Sequence, residues 1–218
     1  ATESITVNST GVSTARAAIE QFTLSAAAVG LLNGFSHAAG TFEAILNVKD
    51  PFKDGRDNIY AGNVKVSNSY TSDAETVVDP AAGGLDASLV SVGANAAHAK
   101  NVTKANAAIT GTGNLYATGT INVTENGKAT ADATVNGAVL SISGAKITFN
   151  DAKAEVVGTQ DAFIGETGNA LKVKADGAIN VTSNFNNSSE TGAKSIVGSN
   201  AAGKGADVKL IGGTASTS

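Results

Sequence analysis

The residues best suited to chemistry lie in VKDPFKDGRDNIYAG, residues 48–62. Asp50, Asp54, Asp57 and Asn58, with Gly55 among them, would put oxygen ligands on one tight loop, which is the material a calcium site uses. The spacing is not that of an EF-hand, and no acidic nonapeptide repeat of the calcium-binding β-roll type accompanies it. Lys49, Lys53 and Arg56 would offset the carboxylate charge. The stretch therefore reads as an inserted surface loop kinked at Pro51, with calcium as the cofactor to test and no other cofactor expected.

Acid–base or metal chemistry would have to use His37 and His98, the only histidines. They occupy loosely equivalent places, GFSHAAG at 34–40 and ANAAHAK at 94–100, so stacking of their segments would put both rings on one side. No carboxylates can be placed beside them from the sequence. Glycoside hydrolysis needs two carboxylates at a defined separation. Glu125, Asp132, Asp151, Glu155, Asp161, Glu166 and Asp176 read instead as turn or outward strand positions. The nucleophile elbow G-x-S-x-G is missing, and Gly-rich GTGN at 111–114 and GETGN at 165–169 lack the Lys-Ser/Thr ending of a phosphate loop. No catalytic residue is assigned. Only Tyr60, Tyr70 and Tyr116 would serve a glycan-acting enzyme as tyrosine platforms, and Tyr60 and Tyr116 read as repeat-equivalent core-edge positions. The N-x-S/T triplets at Asn8, Asn101, Asn122, Asn180, Asn186 and Asn187 follow from an Asn- and Thr-rich composition. Thr118/Thr120 and Thr130/Thr134 lack partners in every unit and do not make the regular Thr rows of an ice-binding face.

The elements that must position these residues show themselves through repetition. Val7, Val66, Val123 and Val181 sit in ITVN, VKVS, INVT and INVT, at steps of 59, 57 and 58 residues. AVG at 28–30 returns as SVG at 91–93, and more loosely as ISG at 142–144 and IVG at 196–198. EAIL at 43–46, AAIT at 107–110 and AFIG at 162–165 form another landmark; NIYAG at 58–62, NLYATG at 114–119 and NALKVKADG at 169–177 form a third. The chain is one array of about four units, roughly 1–60, 61–117, 118–175 and 176–218.

Inside a unit the period is two. KATADATV at 128–135 puts Ala129, Ala131, Ala133 and Val135 on one face and Lys128, Thr130, Asp132 and Thr134 on the other, the mark of a half-buried strand. ENG at 125–127, VNG at 135–137 and ETGN at 166–169 read as turns between several short strands. Residues 14–32 alternate less clearly and allow a short helix in the first unit, anchored by Ile19, Phe22 and Leu24. Aromatics are 5% of the chain, with no Trp or Met, so the core must be thin and built largely of Ala and Val. Stacked coils suit such a core, leaving unpaired edges only at the two ends. The expected class is all-β, a β-solenoid in which each unit supplies two or three coils of about 20 residues. A propeller would need more blades and aromatic signatures.

Charge and composition narrow the partners. A net charge of −4 provides no basic footprint for nucleic acid, and zero Cys excludes disulfides and thiolate chemistry. No run of about 18 apolar residues suggests membrane insertion. The expectation is a soluble segment of a longer protein.

The run from SLVSVGANAAHAKNVTKANAAITGTGNLYATGTINVTENGKATADATV through AFIGETGNALKVKADGAINVTSN resembles the repeat region of large bacterial filamentous adhesins and leukotoxin-like proteins of type V (autotransporter or two-partner) secretion. The resemblance covers residues 85–200 well and 1–84 loosely, through VGAN segments, Ala/Thr alternation, a GTGN turn and INVT strands. It implies a right-handed parallel β-helix, a secreted or cell-surface location, and a non-enzymatic role in adhesion, biofilm or host-cell damage. The expected partners are host-cell surface molecules or glycans, or copies of the same chain. The alternatives are a polysaccharide-acting β-helix enzyme and a self-assembling extracellular filament subunit. No functional residue is transferred.

Overall fold

Alternation continues along far more of the chain than short strands would need. A computed structural model describes residues 3–20, 27–49, 58–79, 85–86, 90–136, 140–141, 145–168, 170–185, 192–197, 206–211 and 214–217. The first unit contains β1 (Ile5–Glu20), β2 (Ala27–Val48) and β3 (Asn58–Ala61). The second contains β4 (Val64–Asp79), β5 (Leu85–Asp86), β6 (Val90–Gly111) and β7 (Asn114–Ala117). Then come β8 (Ile121–Val135), β9 (Leu140–Ser141), β10 (Ala145–Ile164) and β11 (Lys172–Ala175). The last are β12 (Ile179–Phe185), β13 (Gly192–Val197), β14 (Ala206–Ile211) and β15 (Thr214–Thr217). The chain is all-β among the described residues, and every strand pairing is parallel.

Corresponding strands of successive units lie side by side. One long sheet has the order β1-β4-β8-β12, with β13 also on β8. A second runs β2-β6-β10-β14, with β15 also on β10. A narrow sheet β3-β7-β11 and a two-residue pairing β5-β9 complete the set. The register places Val7 beside Val66, Val66 beside Val123 and Val123 beside Val181. The valine column read from the sequence is thus a physical column, with Val66 and Val123 fully buried.

That register corrects three expectations. A strand's hydrogen-bonded neighbour lies one whole unit away, so a unit passes once through each long sheet and does not supply two or three coils. The strands are correspondingly long, 16 residues in β1 and 22 in β2. The short helix in the first unit is absent from the described part of 14–32. Thr14–Glu20 belongs to β1 and 27–32 to β2, because Ala15, Ala17 and Ile19 alternate with exposed Thr14, Arg16, Ala18 and Glu20. Phe22 and Leu24 lie outside the described residues. Third, the loose ISG and IVG matches do not hold. Val90 pairs with Ala145, past ISG, and IVG falls partly on β13, beside β8 in the other sheet.

Two buried clusters lie between the sheets. One is mostly alanine, including Ala74, Ala97, Ala99, Ala129, Ala131, Ala133, Ala152 and Ala154. Small side chains allow the sheets a close approach there. The other, beside the narrow sheet, uses larger groups such as Val48, Val64, Ile109, Leu115 and Ile121. Each fully buried Val or Leu stabilises the fold by about 1.5–3 kcal/mol relative to exposure.

The bulkiest inner rings need space made for them. Phe42 and Tyr70 stack at 5.0 Å with planes 5° apart. A Cβ on Gly127, next to Tyr70 in the register, would come within 2.3 Å of the tyrosine ring. Gly127 is therefore a mid-strand glycine beneath an aromatic, and ENG at 125–127 is no turn. GTGN at 111–114, by contrast, does form a corner: the amides of Thr112 and Gly113 donate to the Val48 carbonyl at 2.9 and 3.0 Å. No helix among the described residues is long and apolar enough to cross a membrane.

Candidate functional site

The loop proposed for calcium lies outside the described residues at positions 50–57. Its last ligand, Asn58, begins β3 and pairs with Asn114. Among the described residues no group of three or more His, Asp or Glu is placed to hold a metal.

Both histidines project from the outer face of the second sheet, but they do not stack on each other. His37 is beside Lys100, and His98 is beside Phe35. The sequence landmarks are off by one outward position. His98 Nε2 lies 3.1 Å from Asp151 Oδ2, while Lys100 reaches Glu155 at 3.5 Å. These are exposed pairs across β6 and β10, each worth at most about 1 kcal/mol.

Glu125 is the carboxylate that sequence reading misplaced. It faces inward, and its side chain is completely buried. Alternation already implied this, since Ile121, Val123, Glu125 and Ala129 share one face; the neighbouring Asn-Gly obscured it. Asn68, beside it in the register, donates from Nδ2 to Glu125 Oε1 and to the Phe42 carbonyl, each at 3.0 Å. Glu125 Oε2 and Asn68 Oδ1 are buried acceptors with no donor among the described residues. Burial raises the Glu125 carboxyl from 4.5 to about 7, partly opposed by the Asn68 hydrogen bond. Burial, and then the Glu125 charge, raise the Tyr70 phenol to about 12.

The same seam between the sheets holds further buried polar groups. Ser72 donates to Asn101 Oδ1 at 2.8 Å, Thr103 donates to that oxygen at 2.9 Å, and Asn101 Nδ2 donates to the Thr130 carbonyl at 2.8 Å. Asn101 is thus a core residue and not an accessible glycosylation acceptor in the folded chain. Tyr70 is likewise no surface platform: its ring is buried and its hydroxyl donates to Gln160 Oε1 at 3.2 Å.

Tyr60 and Tyr116 do reach the surface. Consecutive strands β3, β7 and β11 align NIYA, NLYA and KVKA, so Tyr60, Tyr116 and Lys174 form one outward row. Tyr60 is 62% exposed. Its ring centroid is 5.8 Å from that of Tyr116, with the planes tilted by 58°. The Tyr116 hydroxyl donates to both Asp176 oxygens at 2.7 Å, and that hydrogen bond holds its phenol above the ordinary value. Lys174 Nζ lies 5.1 Å from the Tyr116 centroid, within range of a cation–π contact. The sequence contained the alignment; it could not show that Lys172 and Lys174 stand where Asn114 and Tyr116 stand one unit earlier.

Comparison of the chain with protein-family models, with characterised proteins and with solved structures finds no match.

Proposed function

We propose that the chain is a segment of a right-handed parallel β-solenoid, serving a secreted or surface-exposed bacterial filamentous protein of the adhesin or leukotoxin-like kind as rigid stalk and contact surface. The observation that carries the reading is the unit-to-unit register. Four corresponding strands stack in parallel, each about 58 residues after the last, with Val7, Val66, Val123 and Val181 in one column whose two middle members are fully buried. Right-handed parallel crossovers are the overwhelming preference wherever strands return to one sheet. Rigidity follows from the ladder along the stacking direction and from the seam of hydrogen-bonded Asn, Ser and Thr between the sheets.

The mechanism is mechanical display. Additional units would lengthen the stack by about 4.8 Å each, while the outward Thr, Asn, Ser and Lys side chains remain available to host-cell molecules, glycans or sister chains. The test is adherence of beads carrying the purified chain to cultured epithelial cells. Beads with the folded chain should adhere above the level of beads with a heat-denatured sample. Equal adherence, or none, contradicts the contact role.

A further inference from the structure

The geometry points to an acidic-sugar subsite on the outer face of the narrow sheet, built from Tyr60, Tyr116, Asn114, Lys172 and Lys174. This inference rests on the proposed contact role and names the ligand class for one surface.

These five residues line an open cleft of about 180 Å³. Pockets for drug-sized molecules begin at about 300 Å³, so the cleft suits a single sugar ring of a longer glycan. Sugars carry an apolar C–H face and a polar edge. The exposed Tyr60 ring provides a surface for the first. It is tilted against Tyr116, so the two rings form an angled wall instead of closing on each other. Asn114 and the two lysines address the second.

Charge selects among sugars. Lys172 and Lys174 project on the same side of β11, two residues apart, and neither has a carboxylate within ion-pair distance among the described residues. The nearby Asp176 is engaged by the Tyr116 hydroxyl through both oxygens. That bond fixes the Tyr116 ring, and Asp176 itself stays exposed. The two ammonium groups are left to meet an anion, and a uronic acid supplies a carboxylate at the edge of a ring that can stack. The chain as a whole carries −4, so this local cationic pair runs against the general field.

The chain contains no Trp and only three tyrosines, so tyrosine emission reports on the site directly. Trigalacturonate is titrated into the protein and into the variants Tyr60→Ala and Lys172→Ala/Lys174→Ala, with galactotriose as the neutral comparison. A saturable change is expected with trigalacturonate, weakened about tenfold or more in either variant and in molar salt, and galactotriose is expected to bind about tenfold or more weakly than trigalacturonate. All substituted side chains are on the surface, and matching circular dichroism and melting temperatures establish that the variants fold. No saturable change at millimolar trigalacturonate overturns the subsite, as does equal binding by wild type and both variants. Equal binding of galactotriose overturns the acidic preference. Cell adherence retained without trigalacturonate binding would reject this subsite and leave the contact role standing.

Discussion

Glu125 brings an ionisable group into a seam where Asn68 offers it one hydrogen bond and water is excluded. Its folded value near 7 exceeds the unfolded value of 4.5. The folded chain therefore holds this proton more tightly. The contribution is fully present below the unfolded value and is lost as pH rises from about 4.5 through about 7. Glu125→Gln removes that dependence while keeping an acceptor for Asn68 and adding an N–H where Oε2 stands. Thermal unfolding followed by circular dichroism should show the variant melting several degrees above wild type at pH 8, with the gap closing near pH 4.5. Parallel pH profiles would show that the carboxyl is ionised in the fold. At the same scale, Gly127→Ala puts a methyl group into the Tyr70 ring, and such overpacking costs about 1–3 kcal/mol. Its melting temperature should fall well below that of Lys128→Ala, a neighbouring exposed position; equal melting points would mean the ring has room to move.

At the scale of elements, what could be read from the sequence was periodicity, and what could not was context. Ala129, Ala131, Ala133 and Val135 are inward as their spacing requires, all fully buried. The NIYA and NLYA segments pair residue for residue. Asn and Gly misled at 125–127 because their usual place is a turn, whereas here glycine clears space for an aromatic and Glu125 is turned inward beside Asn68. The first-unit helix came from a stretch whose alternation is masked by Ala on both faces, at Ala17 and Ala18. Two alanines in succession cannot say which side is inside; the full burial of Thr76, the partner of Ala17 across the ladder, does. The candidate calcium ligands show the opposite limit: the sequence around Asp50, Asp54 and Asp57 has no counterpart in the other units, so repetition says nothing about them. The alanine seam gives an element-scale prediction. Ala131→Leu should lower the melting temperature sharply, because a side chain three carbons larger must separate two facing sheets. A loss no greater than that of Thr130→Ala would show that the sheets are not tightly apposed.

At the scale of the molecule, one pass per unit alters the proportions implied by a solenoid of short coils. A 22-residue strand extends about 70 Å, whereas four strands stacked side by side span only about 14 Å between the first and the last. A segment of this size is broader across its strands than it is tall, and slenderness would emerge only over many units. Small-angle scattering should therefore give a largest dimension set by strand length. The central claim, that residues one unit apart are hydrogen-bonded neighbours, has a more direct test in a chain that contains no cysteine. Thr71 and Lys128 are exposed register partners on β4 and β8, at a separation a disulfide can bridge. The double variant Thr71→Cys/Lys128→Cys should form an intramolecular disulfide under mild oxidation, while Thr71→Cys/Asn122→Cys, displaced along the strand by about 20 Å, should not. Failure of the first pair to close, or equal closure of both, would contradict the stacked one-turn unit.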